Sequence, residues 1–283
     1  MAMKESSYLS LGAHGFHRIV YSEWGPSDGR RTVVCVHGLT RNGRDFDALA
    51  TALEADLRVA CPDLPGRGRS HWLPVVTAYS PPVYVADMAT LIARLAVEEV
   101  DWIGTSLGGL LGMMLAAQPN SPIRRLVLND IGAFVAKEPL ARISSYVGAD
   151  PLFADIEALE GYLREIHAPF GPLTDEQWRH VAAHSTRPDP SGGLRLHYDP
   201  GLAAAFKDGF DADVEMWALW DAIPCPVLLL RGGDSDILSR ETATTMLTRG
   251  PQTELIEFPG VGHAPMLMDA VQIAAVRSFL LQE

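Results

Sequence analysis

Residues 100–118 read VDWIGTSLGGLLGMMLAAQ, and this stretch carries most of what the sequence indicates about the fold. The first four residues are typical of a short buried strand, and the last twelve are typical of a helix. Between them, Gly104-Thr105-Ser106-Leu107-Gly108 has the pattern G-x-S-x-G. A serine at such a strand-to-helix turn has its hydroxyl exposed at the edge of a sheet. The stretch therefore suggests a nucleophilic Ser106, although the five residues alone fit a plain Gly/Ser turn equally well.

The composition predicts one large globular domain, or one domain with a sizeable insertion. The chain has 283 residues, of which 47% are hydrophobic. Its formal net charge is −12, which argues against nucleic acid or an anionic membrane as the main partner. We therefore expect a small-molecule substrate, and no nucleic-acid or membrane partner.

The cysteines and the first residues of the chain indicate a compartment. Cys35, Cys61 and Cys225 lie in or beside apolar runs and lack the spacing of a metal site. We expect them to be buried free thiols in a reducing compartment. The opening residues, MAMKESSYLSLGAHGF, contain no apolar segment of a secretory signal. The expectation is a cytoplasmic protein without a metal centre.

Apolar strands alternate with helices over most of the chain, which predicts a mostly parallel sheet covered by helices on both faces. The predicted strands are 16–24, 32–36, 57–62, 100–103, 124–129, 226–231 and 254–258. The predicted helices are 45–53, 83–97, 107–118 and 270–281.

One long stretch interrupts this alternation. Residues 131–222 contain helical patches but no strong strand run, and they predict a helical cap inserted between two sheet strands. The core would then consist of residues 1–130 and 223–283. Ligands of open α/β sheets bind at the carboxyl edge of the strands, where such an insertion can act as a lid.

A serine nucleophile needs a base and a group that orients the base. The best base is His263, which lies in a Gly/Pro loop directly after strand 254–258. Three carboxylates compete for the third position. Asp234 and Asp236 lie in the loop after strand 226–231, and Asp130 ends strand 124–129. From position alone, each could equally be a turn or helix-cap aspartate.

A tetrahedral intermediate also needs N–H donors for its oxyanion. Leu107, the residue after the serine, can supply one of them from the first turn of its helix. The second is expected from Leu39, because Gly38 allows a sharp turn after strand 32–36. We interpret His37 as a residue that braces this loop through hydrogen bonds.

The motifs together resemble the α/β-hydrolase superfamily, a group of serine hydrolases that often carry a cap domain. They are His37-Gly38, DLPGRGRS at 63–70, GTSLGG at 104–109, GDSD at 233–236 and GHAP at 262–265. The order Ser, Asp, His also matches the family. Members usually place the acid in a Gly-x-x-Asp sequence, so the resemblance favours Asp236 over Asp234. Some members place the acid at the end of the strand after the nucleophile, so Asp130 remains a candidate for it.

The resemblance implies hydrolysis of a small carboxylic ester, thioester or lactone through an acyl-enzyme, with no cofactor. Ser106, Asp236 and His263 would be the catalytic residues. A C–C bond hydrolase of a ring-cleavage product, or a cofactor-free perhydrolase, would use the same three residues. A non-catalytic small-molecule receptor is the alternative from a different class.

A short basic segment suggests that the substrate is acidic. Arg41 and Arg44 directly follow the predicted oxyanion loop, and a guanidinium there could bind a substrate carboxylate. The competing interpretation is that each pairs with a nearby acid such as Asp45 or Asp47. The insertion offers four further candidates for the pocket wall: Arg142, Tyr146, His167 and Trp178.

Overall fold

A computed structural model describes residues 3–26, 31–206 and 212–282, and its centre is an eight-stranded sheet. The described strands are β1 (Lys4–Gly12), β2 (Gly15–Trp24), β3 (Thr32–Val36), β4 (Arg58–Pro62), β5 (Val100–Thr105), β6 (Ile123–Asn129), β7 (Phe134–Val135), β8 (Thr186–Pro188), β9 (Leu194–Leu196), β10 (Val214–Glu215), β11 (Val227–Gly232) and β12 (Thr253–Phe258). The order in the sheet is β1-β2-β4-β3-β5-β6-β11-β12. Strands β1, β2 and β4 pair antiparallel, and the other pairs are parallel.

Helices cover both faces of this sheet. The described α-helices are α1 (Asp47–Leu53), α2 (Pro81–Leu95), α3 (Leu107–Ala116), α4 (Lys137–Ser144), α5 (Ile156–Ile166), α6 (Asp175–His184), α7 (Trp217–Asp221), α8 (Arg240–Met246) and α9 (Ala270–Leu281). On the fully buried β3, Val34 and Val36 join the core that contains α2 and α3. Val33 and Cys35 join the core that contains α1 and α9. Two buried faces explain why the central strands are continuously apolar.

The predicted α/β-hydrolase fold, with a mostly parallel sheet and helices on both faces, is confirmed, but among the described residues of the core the sequence missed one strand and one α-helix. Strand β1 exposes Leu9 and Leu11 and buries Tyr8 and Ser10, so its pattern does not separate apolar from polar residues. Helix α8 (RETATTM) is rich in threonine, a weak helix former. It is supported by its cap, because the Ser239 hydroxyl accepts the backbone N–H of Thr242.

The segment predicted as a cap, residues 131–222, lies between β6 and β11 and contains α4 to α7. It also contains two small antiparallel pairs, β7 with β10 and β8 with β9. These strands of two or three residues are too short to give a period in the sequence. The last helix of the segment packs on the core, since Trp220 is fully buried and its indole N–H donates to the Arg249 carbonyl.

Cys35, Cys61 and Cys225 are buried free thiols, as predicted. Within the described ranges, no helix is both long and apolar enough to cross a membrane.

The start of α3 depends on glycine because it lies against the end of β3. A Cβ added to Gly108 would be 1.9 Å from the Val36 carbonyl oxygen, and one added to Gly104 would be 2.2 Å from the Gly108 carbonyl carbon. These neighbours are backbone atoms, which cannot rotate away. The turn at Ser106 therefore requires both glycines.

We expect Gly108→Ala to lower the free energy of unfolding by about 3 kcal/mol or more, because the clash must displace a helix or a central strand. Gly161→Ala is the matched control, since a Cβ there meets nothing within 4 Å on helix α5. That control should gain up to about 1 kcal/mol from helix propensity. Urea denaturation of the two variants measures both effects, and equal midpoints would contradict the packing argument.

Candidate active site

Ser106 occupies the turn between β5 and α3 in a strained backbone conformation. Its φ of 51° and ψ of −113° are rarely adopted by a residue with a side chain. The turn is fixed on both sides, because the Ser106 N–H donates to the Asn129 carbonyl at 3.0 Å. The Ser106 carbonyl accepts the N–H groups of Gly109 and Leu110 at 2.9 and 3.0 Å. These bonds hold the serine at the carboxyl edge of the sheet.

His263 lies against this serine, as the sequence predicted. Its Nε2 is 2.9 Å from the Ser106 hydroxyl oxygen, and its Nδ1 is 2.7 Å from Asp130 Oδ2. A carboxylate only accepts, so Nδ1 must carry the proton. In neutral His263, Nε2 then has a free lone pair directed at the serine hydroxyl. The arrangement can remove the proton of Ser106.

The carboxylate that contacts His263 belongs to Asp130, at the end of β6. Asp130 is completely buried. Besides His263, its oxygens accept the Gly232 N–H at 2.8 Å and the Ser235 hydroxyl at 2.5 Å. Three donors compensate the loss of water around this charge.

The prediction that Asp236 contacts His263 is wrong in this structure. Asp236 is 45% exposed and forms an ion pair with Arg142 on α4, with Nε–Oδ2 and Nη2–Oδ1 distances of 2.9 Å. Asp234 is also exposed. The loop after β11 directs the buried Ser235 toward Asp130, so its neighbours Asp234 and Asp236 face outward and do not reach His263. The sheet order explains why Asp130 is close to both loops, since β6 lies directly between β5 and β11.

The two predicted oxyanion donors come from two different segments next to the serine. Leu107 is the first residue of α3, and Leu39 follows the end of β3. No acceptor among the described residues takes up either N–H. An added Cβ on Gly38 would be only 3.8 Å from the Ser106 Cβ, so this loop passes close to the hydroxyl. Both N–H groups therefore lack a backbone partner among the described residues, and Leu39 lines the cleft that contains Ser106.

Buried side chains fix the loop that carries Leu39. Arg67 donates from Nε to the Leu39 carbonyl at 2.7 Å. His37 donates from Nδ1 to the Gly38 carbonyl at 2.7 Å, and its Nε2 accepts the Leu64 N–H at 2.9 Å. Burial lowers the pKa of His37 to about 3, so the ring is neutral. The hydrogen bonds predicted for this residue are present, and it does not contact Ser106.

Ser106 and His263 lie in a cleft whose outer wall comes from the inserted segment. Arg142, Tyr146 and His167 line it, as the sequence suggested. Phe170 lines it beside His167, with the two rings stacked at 4.4 Å. Trp178 also stacks with Phe170, with ring centroids 6.4 Å apart, and does not line the cleft. Burial lowers the pKa of His167 well below its usual value, so its imidazole is neutral at pH 7.

The two arginines expected to bind a substrate carboxylate are both already paired. Arg41 lines the cleft, but its Nε and Nη2 contact Asp45 at 2.9 and 2.6 Å, and Nη1 contacts the Ser185 hydroxyl at 2.9 Å. Arg44 is held by Asp47 and does not line the cleft. The competing interpretation, pairing with nearby acids, describes both residues.

One cluster of described residues has the side chains to hold a metal ion. The ligand atoms of Asp47, His180 and His184 lie within 4.8 Å of one another. Arg44 engages two of these groups, because its Nε contacts Asp47 at 2.8 Å and its carbonyl accepts from His180 Nε2 at 2.9 Å. None of the three lines the cleft.

A mostly parallel sheet with a serine at a strand-to-helix turn, opposite a histidine and a buried aspartate, is the architecture of the alpha/beta hydrolases. A model of the alpha/beta hydrolase family matches residues 33–276. The chain belongs to this family and is an enzyme, a hydrolase.

Three similar proteins cover most of the chain. A 3-hydroxybutyrate-oligomer hydrolase of Cupriavidus necator is 48% identical over 94% of this chain and 93% of its own. A 2-(acetamidomethylene)succinate hydrolase of Mesorhizobium japonicum is 27% identical over 80% of this chain and 79% of its own. The crystal structure of an alpha/beta hydrolase from Novosphingobium aromaticivorans has a TM-score of 0.89, 39% identity and 99% coverage of both chains.

The neutral His37 makes stability depend on pH. Its pKa is about 3 in the folded protein and near 6.5 in an unfolded chain. Below pH 6.5 the unfolded state therefore binds a proton that the folded state does not. Stability from this residue falls by about 1.4 kcal/mol per pH unit toward pH 3.

We expect His37→Gln to be less stable than the wild type at pH 7 by roughly 1–3 kcal/mol, through lost buried hydrogen bonds. At pH 5 the variant should gain about 2 kcal/mol of stability relative to the wild type, because it has no histidine at position 37 that binds a proton on unfolding. Urea denaturation at both pH values measures it. His14→Gln, at an exposed position, is the control and should leave the stability at pH 7 nearly unchanged. A constant difference for His37→Gln would refute the neutral-ring assignment.

Proposed function

We propose that the protein is a serine hydrolase of carboxylic esters, with Ser106 as nucleophile, His263 as general base and acid, and Asp130 as the orienting carboxylate. The observation that carries this proposal is the chain of contacts from Ser106 Oγ to His263 Nε2 at 2.9 Å and from Nδ1 to Asp130 at 2.7 Å. Such a chain activates a serine that would otherwise be a weak nucleophile.

In the acylation step, the Ser106 oxygen attacks the ester carbonyl carbon while its proton moves to His263 Nε2. The carbonyl oxygen becomes an oxyanion and accepts the N–H groups of Leu39 and Leu107. Asp130 accepts the Nδ1 hydrogen bond throughout and stabilises the imidazolium. When the tetrahedral intermediate collapses, His263 donates its proton to the departing alkoxide, and an alcohol leaves.

In the deacylation step, a water molecule loses a proton to His263 Nε2 and attacks the acyl carbon. The same two N–H groups hold the second oxyanion. The bond to Ser106 then breaks, His263 returns the proton to the serine oxygen, and the carboxylic acid product leaves. All proton transfers use one nitrogen atom, so they require the Nδ1-protonated tautomer that Asp130 selects.

For the substrate we propose short linear oligoesters of 3-hydroxybutyrate or a similar small hydroxy acid. The support is the 48% identical relative named a 3-hydroxybutyrate-oligomer hydrolase, which this chain matches over nearly its whole length. The cleft agrees in chemical character, because apolar Ile143, Phe170 and Met266 lie beside the polar groups of Arg142 and Tyr146. An oligoester of this kind has methyl groups along its length and a carboxylate at one end.

The substrate is tested by incubating the protein with the linear dimer and trimer of 3-hydroxybutyrate and measuring released monomer by chromatography. We expect monomer release by the wild type and a loss of roughly 10⁴-fold or more in Ser106→Ala. A fluorophosphonate should label the wild type and not this variant. Labelling without monomer release would reject the oligoester and direct the search to thioesters, lactones or C–C bond cleavage. No labelling would contradict the proposal that Ser106 is the nucleophile.

The acid is tested by comparing two substitutions on a neutral ester such as p-nitrophenyl butyrate. Asp130→Asn should lower kcat by about 10⁴-fold, because an amide favours the wrong tautomer of His263. Asp236→Asn should change kcat by less than about threefold, since its carboxylate forms a half-exposed ion pair with Arg142 and Asp130 is the partner of His263. The reverse ranking would reinstate Asp236 as the triad acid.

A further inference from the structure

We infer that Arg142 is the binding site for a carboxylate of the substrate, and that Asp236 occupies this site in the free enzyme as an internal competitor. The inference rests on the proposed ester hydrolase function and adds a substrate requirement to it. The class of ligand is an ester that carries a free carboxylate close to the bond that is cleaved.

The position of Arg142 is the first support. It belongs to α4 and lines the same cleft as Ser106 and His263. Its Nε and Nη2 each donate to a different oxygen of Asp236 at 2.9 Å. This parallel pair of hydrogen bonds is the geometry with which a guanidinium holds any carboxylate. Asp236 therefore occupies the site as a substrate carboxylate would.

The second support is the exposure of the Arg142–Asp236 ion pair, which distinguishes Arg142 from Arg41. The Arg142 and Asp236 side chains are 42% and 45% exposed. Those of Arg41 and Asp45 are 7% and 14% exposed, and Arg41 also donates to Ser185. An exposed ion pair contributes little free energy and is easily exchanged, whereas opening a buried pair leaves uncompensated charges. Of these two cleft arginines, Arg142 is the exchangeable one.

Neighbouring groups complete a site for a carboxylate. Tyr146 follows Arg142 by four residues, in the turn after α4, and also lines the cleft. Burial raises the pKa of Tyr146, so its phenol remains an O–H donor at neutral pH. Asp45, the carboxylate among the described residues that line the cleft, is already paired with Arg41. When Asp236 swings away, Arg142 is left as an unpaired positive charge beside a hydroxyl donor.

The test compares a free acid with its methyl ester, using the 3-hydroxybutyrate trimer in both forms. In the wild type we expect a lower KM for the free acid. Arg142→Gln should raise the KM of the acid by roughly five- to twentyfold relative to that of the methyl ester. Asp236→Asn should lower the KM of the acid by about two- to fivefold, because the competitor is removed.

The opposite directions of these two changes distinguish competition from a structural role. If the pair only held α4 against the core, loss of either partner would have the same effect. Arg249→Gln is the matched control, since Arg249 and Asp221 form a pair of similar exposure, 43% and 38%, away from the cleft. This variant should leave both KM values unchanged. KM changes of the same sign in Arg142→Gln and Asp236→Asn would overturn the inference.

A binding measurement separates this inference from the proposed function. The trimer acid and its methyl ester are titrated calorimetrically into Ser106→Ala, with and without Arg142→Gln, and so are the monomethyl and dimethyl esters of glutaric acid. Arg142-dependent preference for the free acids supports the site even if the wild type cleaves no oligoester. Equal affinity for acid and methyl ester, or no binding of either acid, overturns the site even if the wild type cleaves oligoesters.

Discussion

A carboxylate with no exposed surface must find hydrogen-bond donors inside the protein, and Asp130 finds them on three segments. The Gly232 N–H ends β11, the Ser235 hydroxyl belongs to the loop after it, and His263 belongs to the loop after β12. Because an uncompensated buried charge is strongly destabilising, these segments are fixed in relation to one another. The position of His263 against Ser106 is a consequence of this constraint.

The same constraint explains which parts of the site could be predicted from sequence. Ser106, His263 and the glycines around the elbow are specified by local patterns, namely a strand, a turn and a helix in fixed order. The alternation of apolar strands with helices likewise predicted the mostly parallel sheet. The identity of the acid depends on which of Asp234, Ser235 and Asp236 points inward, and that direction is set by contacts with β6 far away in the chain. Spacing alone could not decide it.

The wall of the cleft was harder to predict for a similar reason. Arg142, Tyr146 and His167 were among the candidates, but nothing in the sequence pairs Arg142 with Asp236, 94 positions further along the chain. The basic segment drew attention to Arg41 and Arg44 because it adjoins the oxyanion loop. In the folded chain each of them has an acid three or four residues away, so local ion pairs neutralise both.

The location of the acid at the end of β6 also changes the role of the loop after β11. Because Asp130 is the carboxylate that contacts His263, Asp236 at the Gly-x-x-Asp position is not needed to orient the histidine. Asp236 is then free to face the inserted segment, and it forms a contact between this loop and α4. Both partners of that contact are half exposed, so it can open without leaving a buried charge. Asp236 stands at the sequence position of a catalytic acid, but it pairs with Arg142 instead. A ligand carboxylate can replace it there.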